Sequence, residues 1–517
     1  MSNLPIDCRR WRLRHVTRPL LLLVAALPGS HALAAAVHPQ VVEAANRDGS
    51  ADAILVFPDQ SRPLLTPLRV DGDYRARRRA LVAALQARAD RDQRGVRSWL
   101  DARGIAHRDY WIANVIQARV PLSALGELAA RADVARVDPN PQIRLQFPLA
   151  ESQSAPAIVA AGATGIAWGV AKIDAPSVWS GGFTGQGVVI GGEDTGYQWD
   201  HPALQPQYRG WNGVTADHNF NWHDAVHDAA EEPTCGNDSP FPCDPFGHGT
   251  HTAGTFAGDD GPSASPRHQV GVAPGARWIG CRNMDIHGTG TPTRYIECMQ
   301  WMLEPTDLND ANPNPDLAPD IVSNSWACPP EEGCTSGNEI QAAVDALVAG
   351  GILYVAAAQN SGPYCSTIAD PPAIYDASFV VGATDSNDAL ANFSSRGPVA
   401  ASSMVRPDLS APGVTVCSSV PIDNYACTGW SGTSMATPHV AGTAALLMSA
   451  FPALKGHPDK LAEILRATTV TQGVTDPFVQ VCGGTPITQW PNYMVGYGRL
   501  DAWNAYHEVI FVDDFGR

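Results

Sequence analysis

Short apolar runs separated by glycine-rich turns dominate the chain from about residue 165 onward. Five of these runs are rich in Val, Ile and aromatic residues: VVIGG, ARWIGC, DIVSNSW, GILYVAAA and ASFVVGATD. Segments with helix-compatible patterning, such as IQAAVDALVAG, lie between them. Apolar runs that alternate with helices are typical of a parallel sheet covered on both faces. We therefore predict an α/β fold of three layers, doubly wound around a mostly parallel sheet, with its functional site at the carboxyl ends of the strands.

Residues 37–150 show a different pattern, in which strand-like and helix-like runs alternate over a short length. ADAILVF and YWIANVI predict two strands, and VARVDPNP predicts a short strand followed by a turn. Apolar residues recur at helical spacing in two stretches, Leu81, Leu85, Val96 and Leu100, and then Leu122, Leu125 and Leu128. We predict a small α+β domain over residues 37–150, joined to the rest of the chain by the linker LAESQSAPAI at residues 149–158.

The start of the chain has the layout of a secretory signal peptide. An arginine-rich stretch precedes the apolar run PLLLLVAAL, and the small-residue site Ala32-Leu33-Ala34 follows it. A membrane anchor is the alternative, but the run is much shorter than the roughly 20 apolar residues that span a bilayer. We predict a signal peptide over residues 1–36, a secreted protein (extracellular or periplasmic), and no membrane association after the signal is cleaved.

Ten of the eleven cysteines follow the signal segment, and an even number in an exported chain predicts disulfides. Short spacings pair Cys235 with Cys243, Cys328 with Cys334 and Cys417 with Cys427, and leave Cys281, Cys298, Cys365 and Cys482 open. A zinc cluster is the alternative interpretation, but no CxxC pair supports it.

Charge is distributed unevenly along the chain. Residues 1–150 contain 22 Arg, no Lys and 14 Asp or Glu, a net charge of +8. Because the whole chain carries −17, residues 151–517 carry −25. We expect the two parts to attract each other, and the acidic bulk argues against a nucleic-acid partner.

Asp194 and His248 are the first two candidates for catalysis. Asp194 lies at the end of the strand-like run VVIGGEDTG, and His248 lies in GHGTHTAGT. An aspartic peptidase also uses a DTG motif, but it needs two carboxylates that share a proton, and no second DTG occurs. An imidazole titrates near neutral pH and needs a carboxylate to fix its tautomer, so we interpret His248 as a general base. The alternative, a metal pair of His248 and His251, lacks the glutamate of an HExxH motif.

Ser434 lies in GTSMATPHVAGTAALL, at the predicted start of a helix. Because proline is tolerated best in a first helical turn, we expect Pro438 in that turn and Ser434 at or just before the helix start. A serine there is also an ordinary helix cap. With His248 to take its proton and Asp194 to hold the imidazole, it becomes a nucleophile. Asn360, at the end of GILYVAAAQN, is the candidate oxyanion donor together with the Ser434 N–H.

The motifs EDTG, GHGTHTAGT, AAAQN and GTSMATPHVAG, in this order, resemble those of the subtilisin-like serine peptidases. The resemblance covers about residues 165–505, and GVAPGARWIGCRNMD and RPDLSAPG resemble in particular the bacillopeptidase F-like branch. It implies a subtilisin-like catalytic domain over residues 151–517, with Asp194, His248 and Ser434 as the triad and Asn360 in the oxyanion hole. It also implies that residues 37–150 are an inhibitory propeptide, which assists folding and is removed by a cut between about residues 145 and 160.

The same resemblance implies that two backbone edges bind an extended peptide by β-pairing. These substrate-binding edges are Gly288, Thr289 and Gly290, and Ser325, Trp326 and Ala327. The sequence departs from the family at Gln359, where many relatives have glycine, so the backbone conformation beside Asn360 need not match theirs. It also departs at Ala203, where calcium-dependent relatives have a ligating aspartate.

Metal binding is the least defined part of the sequence prediction. We expect no required cofactor. The calcium site that would need an aspartate at Ala203 is expected to be missing. A structural calcium ion elsewhere stays an open alternative, without assigned ligands. The insertion Gln205–Asp244 offers Asp217, His218, Asp224 and Asp228 as an alternative metal site. We favour a solvated surface loop there.

The sequence thus predicts a secreted serine endopeptidase, made as a zymogen, that cleaves protein or peptide substrates through an acyl-enzyme. Its own propeptide is the expected intramolecular inhibitor. Two alternatives stay open: an esterase or acyltransferase with the same triad, and a non-catalytic binding protein that retains the fold. The presence of all four catalytic candidates argues against the second.

Overall fold

The computed structural model describes residues 35–58, 73–146, 165–230, 232–334, 337–400 and 402–514. Nearly all of the predicted signal peptide and the whole predicted linker at residues 149–158 lie outside these ranges. Within them, no helix has the length and apolar character that a membrane crossing requires.

The described residues of the N-terminal region, 35–58 and 73–146, form a five-stranded sheet of order β1-β5-β2-β4-β3 with three helices. The strands are β1 Ala36–Val37, β2 Ser50–Val56, β3 His107–Tyr110, β4 Val115–Pro121 and β5 Arg136–Pro139, and the helices are α1 Pro39–Asp48, α2 Tyr74–Asp101 and α3 Leu122–Ala129. The predicted strands at ADAILVF and VARVDPNP and the two predicted helices are confirmed. The single strand predicted at YWIANVI is wrong, because Trp111–Asn114 form a turn between β3 and β4, with Asn114 at a left-handed φ of 51°.

Beyond residue 142 the chain alternates between strands and helices. The strands are β6 Ile143–Arg144, β7 Gly165–Ile166, β8 Val189–Asp194, β9 Trp222–Asp224, β10 His268–Gln269, β11 Arg277–Arg282, β12 Thr289–Gly290, β13 Ile321–Asn324, β14 Leu353–Ala357, β15 Phe379–Thr384, β16 Leu409–Pro412, β17 Ser418–Val420, β18 Asn424–Ala426, β19 Val481–Cys482 and β20 Thr485–Pro486. The helices are α4 Trp168–Lys172, α5 Ala175–Ser180, α6 His248–Ala257, α7 Pro292–Leu303, α8 Gln341–Ala349, α9 Thr433–Ala450, α10 Pro458–Ala467 and α11 Ala502–Asp514.

Seven of these strands form one parallel sheet of order β16-β15-β14-β13-β8-β11-β9. All five strands predicted from apolar runs lie in it, as β8, β11, β13, β14 and β15. One face packs on α6 and α9, and the other packs on α7 and α8. The predicted three-layer α/β architecture is therefore confirmed. The N-terminal region adds Ile54, Leu81 and Tyr110 to the apolar cluster on the α7 side.

The ten cysteines in the described ranges form five disulfides. The three predicted pairs are confirmed as Cys235–Cys243, Cys328–Cys334 and Cys417–Cys427. The four cysteines left open pair as Cys281–Cys298 and Cys365–Cys482. The spacing in the sequence did not reveal these two pairs because each joins elements that meet only in the folded chain.

Candidate active site

Asp194 and His248 meet in a buried contact at the carboxyl end of β8. Asp194 is the last residue of that strand and His248 the first residue of α6, and both are 2% exposed or less. The Nδ1 atom of His248 lies 2.7 and 2.9 Å from the two carboxylate oxygens. Asp194 also accepts hydrogen bonds from the Thr195 N–H at 2.7 Å and the Thr252 hydroxyl at 3.2 Å. A proton held on Nδ1 by the carboxylate leaves Nε2 to accept one.

His251, three residues on, has a different environment. Its Nε2 donates to the carbonyl of Val416 at 3.1 Å, and its ring stacks on Trp430 with the centroids 4.4 Å apart. Burial, together with the charge on His248, lowers the pKa of His251 to about 3. His251 is therefore neutral at neutral pH and packs beside the site, which leaves His248 as the candidate general base.

Ser434 is the second residue of α9, in the first turn, as predicted. Its hydroxyl donates to the carbonyl of Ser325 at 3.0 Å, and the Ser325 hydroxyl donates back to the carbonyl of Ser434 at 3.1 Å. The prediction that Pro438 lies in the first turn is wrong, since it lies inside the helix. Proline has no N–H for the carbonyl four residues earlier, which is that of Ser434, and Ser325 supplies the missing donor.

Asn360 follows β14, and its amide orientation is fixed by two donors. Its Oδ1 accepts from the backbone N–H of Thr433 at 2.9 Å and from the Thr433 hydroxyl at 3.0 Å. The Nδ2 group therefore points away from Thr433, and it donates to the carbonyl of Gln146 at 3.1 Å. A carbonyl from the N-terminal region thus accepts the hydrogen bond that an oxyanion would accept from Asn360.

Gln359 adopts the left-handed backbone that glycine favours, with φ of 80°. Its side chain is 4% exposed, and the amide donates to the carbonyl of Ala357 at 3.0 Å and to that of Trp326 at 3.3 Å. The glutamine therefore keeps a glycine-like path into Asn360 and holds that path with its own side chain.

The four candidates are brought to one edge of the main sheet because β8, β13 and β14 are parallel neighbours. Glu193 pairs in register with Asn324, which pairs in register with Ala356. The residues that follow these positions emerge at the same edge of the sheet, and they lead to Asp194, Ser325 and Asn360. Ser434 joins the group through Ser325, and α9 joins it through Thr433 and Asn360.

The end of the N-terminal region lies across this edge as an extended segment. Strand β6 pairs antiparallel with β12, with Arg144 opposite Thr289 and Ile143 opposite Gly290. The Leu145 N–H extends the ladder to the Gly288 carbonyl at 2.8 Å. The first predicted substrate edge thus pairs with a peptide of the chain itself.

The second predicted edge, Ser325, Trp326 and Ala327, does not form a ladder with the N-terminal segment as the first edge does. Among the described residues, none of its backbone groups hydrogen-bonds to residues 143–146. Its role toward a substrate stays a prediction. Trp326 is nearly buried and stacks on Tyr295, with the ring centroids 3.7 Å apart.

The N-terminal region also docks on α7 through its side chains. Asn140 accepts from the Thr293 N–H at 3.2 Å and donates to the Thr293 hydroxyl at 2.9 Å, so it caps the helix from outside. The Tyr110 hydroxyl donates to Glu297 at 3.1 Å. The expected attraction between the basic and acidic parts is seen where Arg79 pairs with Asp316 at 2.7 Å.

Two of the four metal ligands considered in the insertion have basic partners. Asp224 receives two hydrogen bonds from the buried Arg282, at 2.8 and 2.7 Å, and Asp228 pairs with Arg294 at 2.8 Å. In the part of the chain that the structure describes, no group of three or more His, Cys, Asp or Glu side chains is arranged to hold a metal ion.

Sequence reasoning missed several residues of this site. Thr252 lies four residues after His248, so a helical i, i+4 spacing on α6 could have indicated it. The Gln146 carbonyl, and the Glu332 carboxylate that accepts the Arg144 N–H at 3.0 Å, have no local signal, because their partners are distant in the sequence.

Comparison with known proteins gives a consistent result. A family model described as the subtilase family matches residues 185–497. Bacillopeptidase F from Bacillus subtilis (strain 168) is 35% identical over 452 residues, which are 84% of this chain and 29% of that protein. Subtilisin DY from Bacillus licheniformis is 33% identical over 290 residues, 56% of this chain and 86% of the relative. Serine protease AprX from Bacillus subtilis (strain 168) is 32% identical over 323 residues, 58% of this chain and 65% of the relative. The chain therefore spans less than a third of bacillopeptidase F, and it belongs to the subtilase family of serine proteases.

Proposed function

We propose that the chain is an exported endopeptidase made as an inhibited precursor, in which Asp194, His248 and Ser434 form the triad and Asn360 is the oxyanion donor. The observation that carries the proposal is the Gln146 carbonyl, which accepts a hydrogen bond from Asn360 at 3.1 Å. The segment before it pairs with the Gly288–Gly290 edge as an extended peptide. A peptide held in this way is presented as a substrate or product would be.

The reaction follows from the groups around this carbonyl. The Ser434 hydroxyl turns from the Ser325 carbonyl toward His248, gives its proton to Nε2, and its oxygen attacks the peptide carbonyl carbon. Asp194 holds the imidazolium through Nδ1, while Asn360 and the Ser434 N–H stabilise the oxyanion. His248 returns the proton to the leaving amine, which breaks the C–N bond and leaves an acyl-enzyme. A water molecule then attacks the ester in the same way and frees Ser434.

The same geometry suggests where the precursor is cut. The bond after the carbonyl that Asn360 binds is Gln146–Phe147, inside the window of residues 145–160 predicted from the sequence. We therefore propose a signal peptide over residues 1–36, an inhibitory propeptide over residues 37–146, and a catalytic domain from Phe147 onward. The match to bacillopeptidase F supports this division, since coverage of 84% of the chain has to include part of the propeptide.

Export, substrates and cofactors complete the proposal. Five disulfides in the described ranges support an oxidising compartment outside the cytoplasm. Pairing through main-chain groups suits unfolded segments of many protein substrates. Subtilases need no organic cofactor, and a structural calcium ion stays a proposal without assigned ligands.

Labelling with an organophosphorus probe tests the assignment of the nucleophile. The mature enzyme should carry one adduct, which peptide mass spectrometry should map to Ser434, and it should hydrolyse casein. The variant Ser434→Ala, after its propeptide is cut by added wild-type enzyme and the wild type is removed, should take no label and lose about 10⁶-fold in kcat, the loss found for the corresponding change in subtilisin. The control Ser180→Ala, at an exposed serine of α5, should match the wild type. Ester hydrolysis without casein cleavage would favour the esterase, and an unlabelled Ser434 in folded protein would favour the binding protein.

A further inference from the structure

Residues 143–146 lie in a cleft with the Gly288–Gly290 edge as one wall and a short loop closed by a disulfide as the other. The loop directly follows the second predicted substrate edge, because Cys328 comes after Ala327 and pairs with Cys334. The Cys328 N–H donates to the carbonyl of Pro371 at 2.8 Å, which ties the loop to the body of the domain. At its far side, Gly333 has a φ of 115°, and a Cβ there would come within 2.7 Å of Pro141. The loop is therefore fixed at both ends and close to the N-terminal segment.

Glu332 of this loop binds the backbone of the segment. Successive N–H groups of an extended strand point to opposite sides. The Leu145 N–H faces the Gly288 carbonyl, and the Arg144 N–H consequently faces the other wall of the cleft. There it donates to Oε2 of Glu332 at 3.0 Å. The Glu332 carboxylate thus binds a main-chain N–H on the side of the peptide where pairing with the Ser325–Ala327 backbone was expected.

The charge around Glu332 adds a preference to this contact. Burial raises the pKa of Glu332, the N–H and the positive charge of Arg144 lower it, and the neighbouring Glu331 raises it. Burial, followed by the charges of Glu331 and Glu332, also raises the pKa of Asp370 to about 7. A cationic side chain at the position of Arg144 offsets the repulsion among these carboxylates, and an anionic one increases it.

We infer that Glu332 is a specificity-determining residue, which accepts the N–H of the third residue before the scissile bond and favours a basic side chain there. The inference rests on the proposed function, because Arg144 is that third residue only if Gln146 precedes the scissile bond. The hydrogen bond to a carboxylate is charge-assisted, and a negative side chain in place of Arg144 would turn attraction toward the partly exposed Glu332 into repulsion, so a preference of about tenfold is expected.

A set of matched substrates tests this inference on the mature enzyme. Internally quenched peptides would carry Ile-Arg-Leu-Gln-Phe-Pro or the same sequence with Glu in place of Arg. A third peptide would carry N-methylated Arg, which lacks the N–H. Each kcat/KM is divided by that of a short ester that ends before the third residue, so that changes in the chemical step cancel. The wild type should prefer Arg over Glu by about tenfold and should cleave the N-methyl peptide at least tenfold more slowly.

Glu332→Gln should reduce the Arg-over-Glu ratio to about one. The control Glu331→Gln removes the same charge from the neighbouring residue of the loop and should keep most of the preference. An unchanged ratio in Glu332→Gln, or an equal loss in Glu331→Gln, would overturn the inference while ester hydrolysis continued. A wild-type enzyme that cleaves neither ester nor peptide would instead refute the proposed function.

Discussion

Two of the contacts that the N-terminal region makes with the rest of the chain are made from different groups. In the cleft, residues 143–146 are held mainly through their backbone, by the Gly288–Gly290 edge, Glu332 and Asn360. On α7, the Asn140 side chain caps the helix and the Tyr110 hydroxyl bonds to Glu297, while two N–H groups of the β3–β4 turn donate to the side chain of Gln300. Backbone contacts can be repeated by any extended peptide, whereas the side-chain contacts belong to this partner. Under the proposed function, the cleft contact serves catalysis and the α7 contact serves recognition of the propeptide.

The largest effect that separates the two contacts is expected at Asn360. Asn360→Ala removes a donor to the oxyanion without touching α7, so kcat should fall about 10²–10³-fold, the size found for the oxyanion asparagine of subtilisin. KM should change little, because the ground-state carbonyl needs this donor less than the oxyanion does. Steady-state kinetics on one peptide substrate would measure both values. The exposed Asn387→Ala is the matched control, and a rise in KM with unchanged kcat would show that Asn360 serves binding instead.

A smaller effect, on propeptide binding instead of kcat, is expected at Asn140. Asn140→Ala leaves the N–H of Thr293 without its cap, which costs about 1–2 kcal/mol of propeptide binding. The cut propeptide should therefore leave about tenfold faster, which native mass spectrometry of the freshly cleaved complex would measure. The mature enzyme should have unchanged kcat, because Asn140 has departed with the propeptide.

Asn46→Ala is the control for this measurement, since the exposed Asn46 side chain donates to the carbonyl of Val42 in its own helix. If Asn46→Ala speeds departure as much as Asn140→Ala does, the general stability of the region sets the rate. The distinction between the two contacts would then be lost.

The smallest effect concerns pH at the α7 contact. The Nε2 atom of His227 lies 2.9 Å from Glu297 and 2.8 Å from Arg108 of the N-terminal region, and it can accept from Arg108 only while neutral. Burial lowers the pKa of His227, but hydrogen bonds and charges from Glu297 and Asp238 raise it above the ordinary value overall, with Arg108 opposing. Since the N-terminal region supplies Arg108, we expect its departure to raise this pKa further.

Protons therefore favour the departed state. Release of the cut propeptide should quicken a few-fold as the pH falls from about 8 to about 6, through the range in which a histidine with a raised pKa gains its proton. The departure rate measured across this range should become nearly flat in His227→Gln. Slower release at low pH would contradict the direction argued here.

The sequence predicts those features of the fold and site that depend on residues close together in the chain, and it misses those that depend on distant partners. Apolar runs and glycine turns predicted five of the seven strands of the main sheet, because a parallel strand buried on both faces needs no distant information. The strand ends predicted Asp194 and Asn360 as neighbours for the same reason. The interpretation of Gln205–Asp244 as a solvated surface loop was wrong at β9, which pairs with β11 and buries Trp222. Pro438 was misplaced because its lost hydrogen bond is replaced by Ser325, 109 residues before Ser434. Glu332 was missed because its partner Arg144 lies in another region, and loop residues rich in Pro and Glu ordinarily read as solvated surface.

The proposed cut between Gln146 and Phe147 joins the cleft geometry to the chemistry, and the N-terminus of the mature protein tests it directly. Expression of the full chain, followed by intact mass and N-terminal sequencing of the active product, should give a mature enzyme that begins at Phe147. The full chain with Ser434→Ala should keep that bond intact. A first cut elsewhere, or cleavage at Phe147 in the Ser434→Ala chain by the chain itself, would contradict the account.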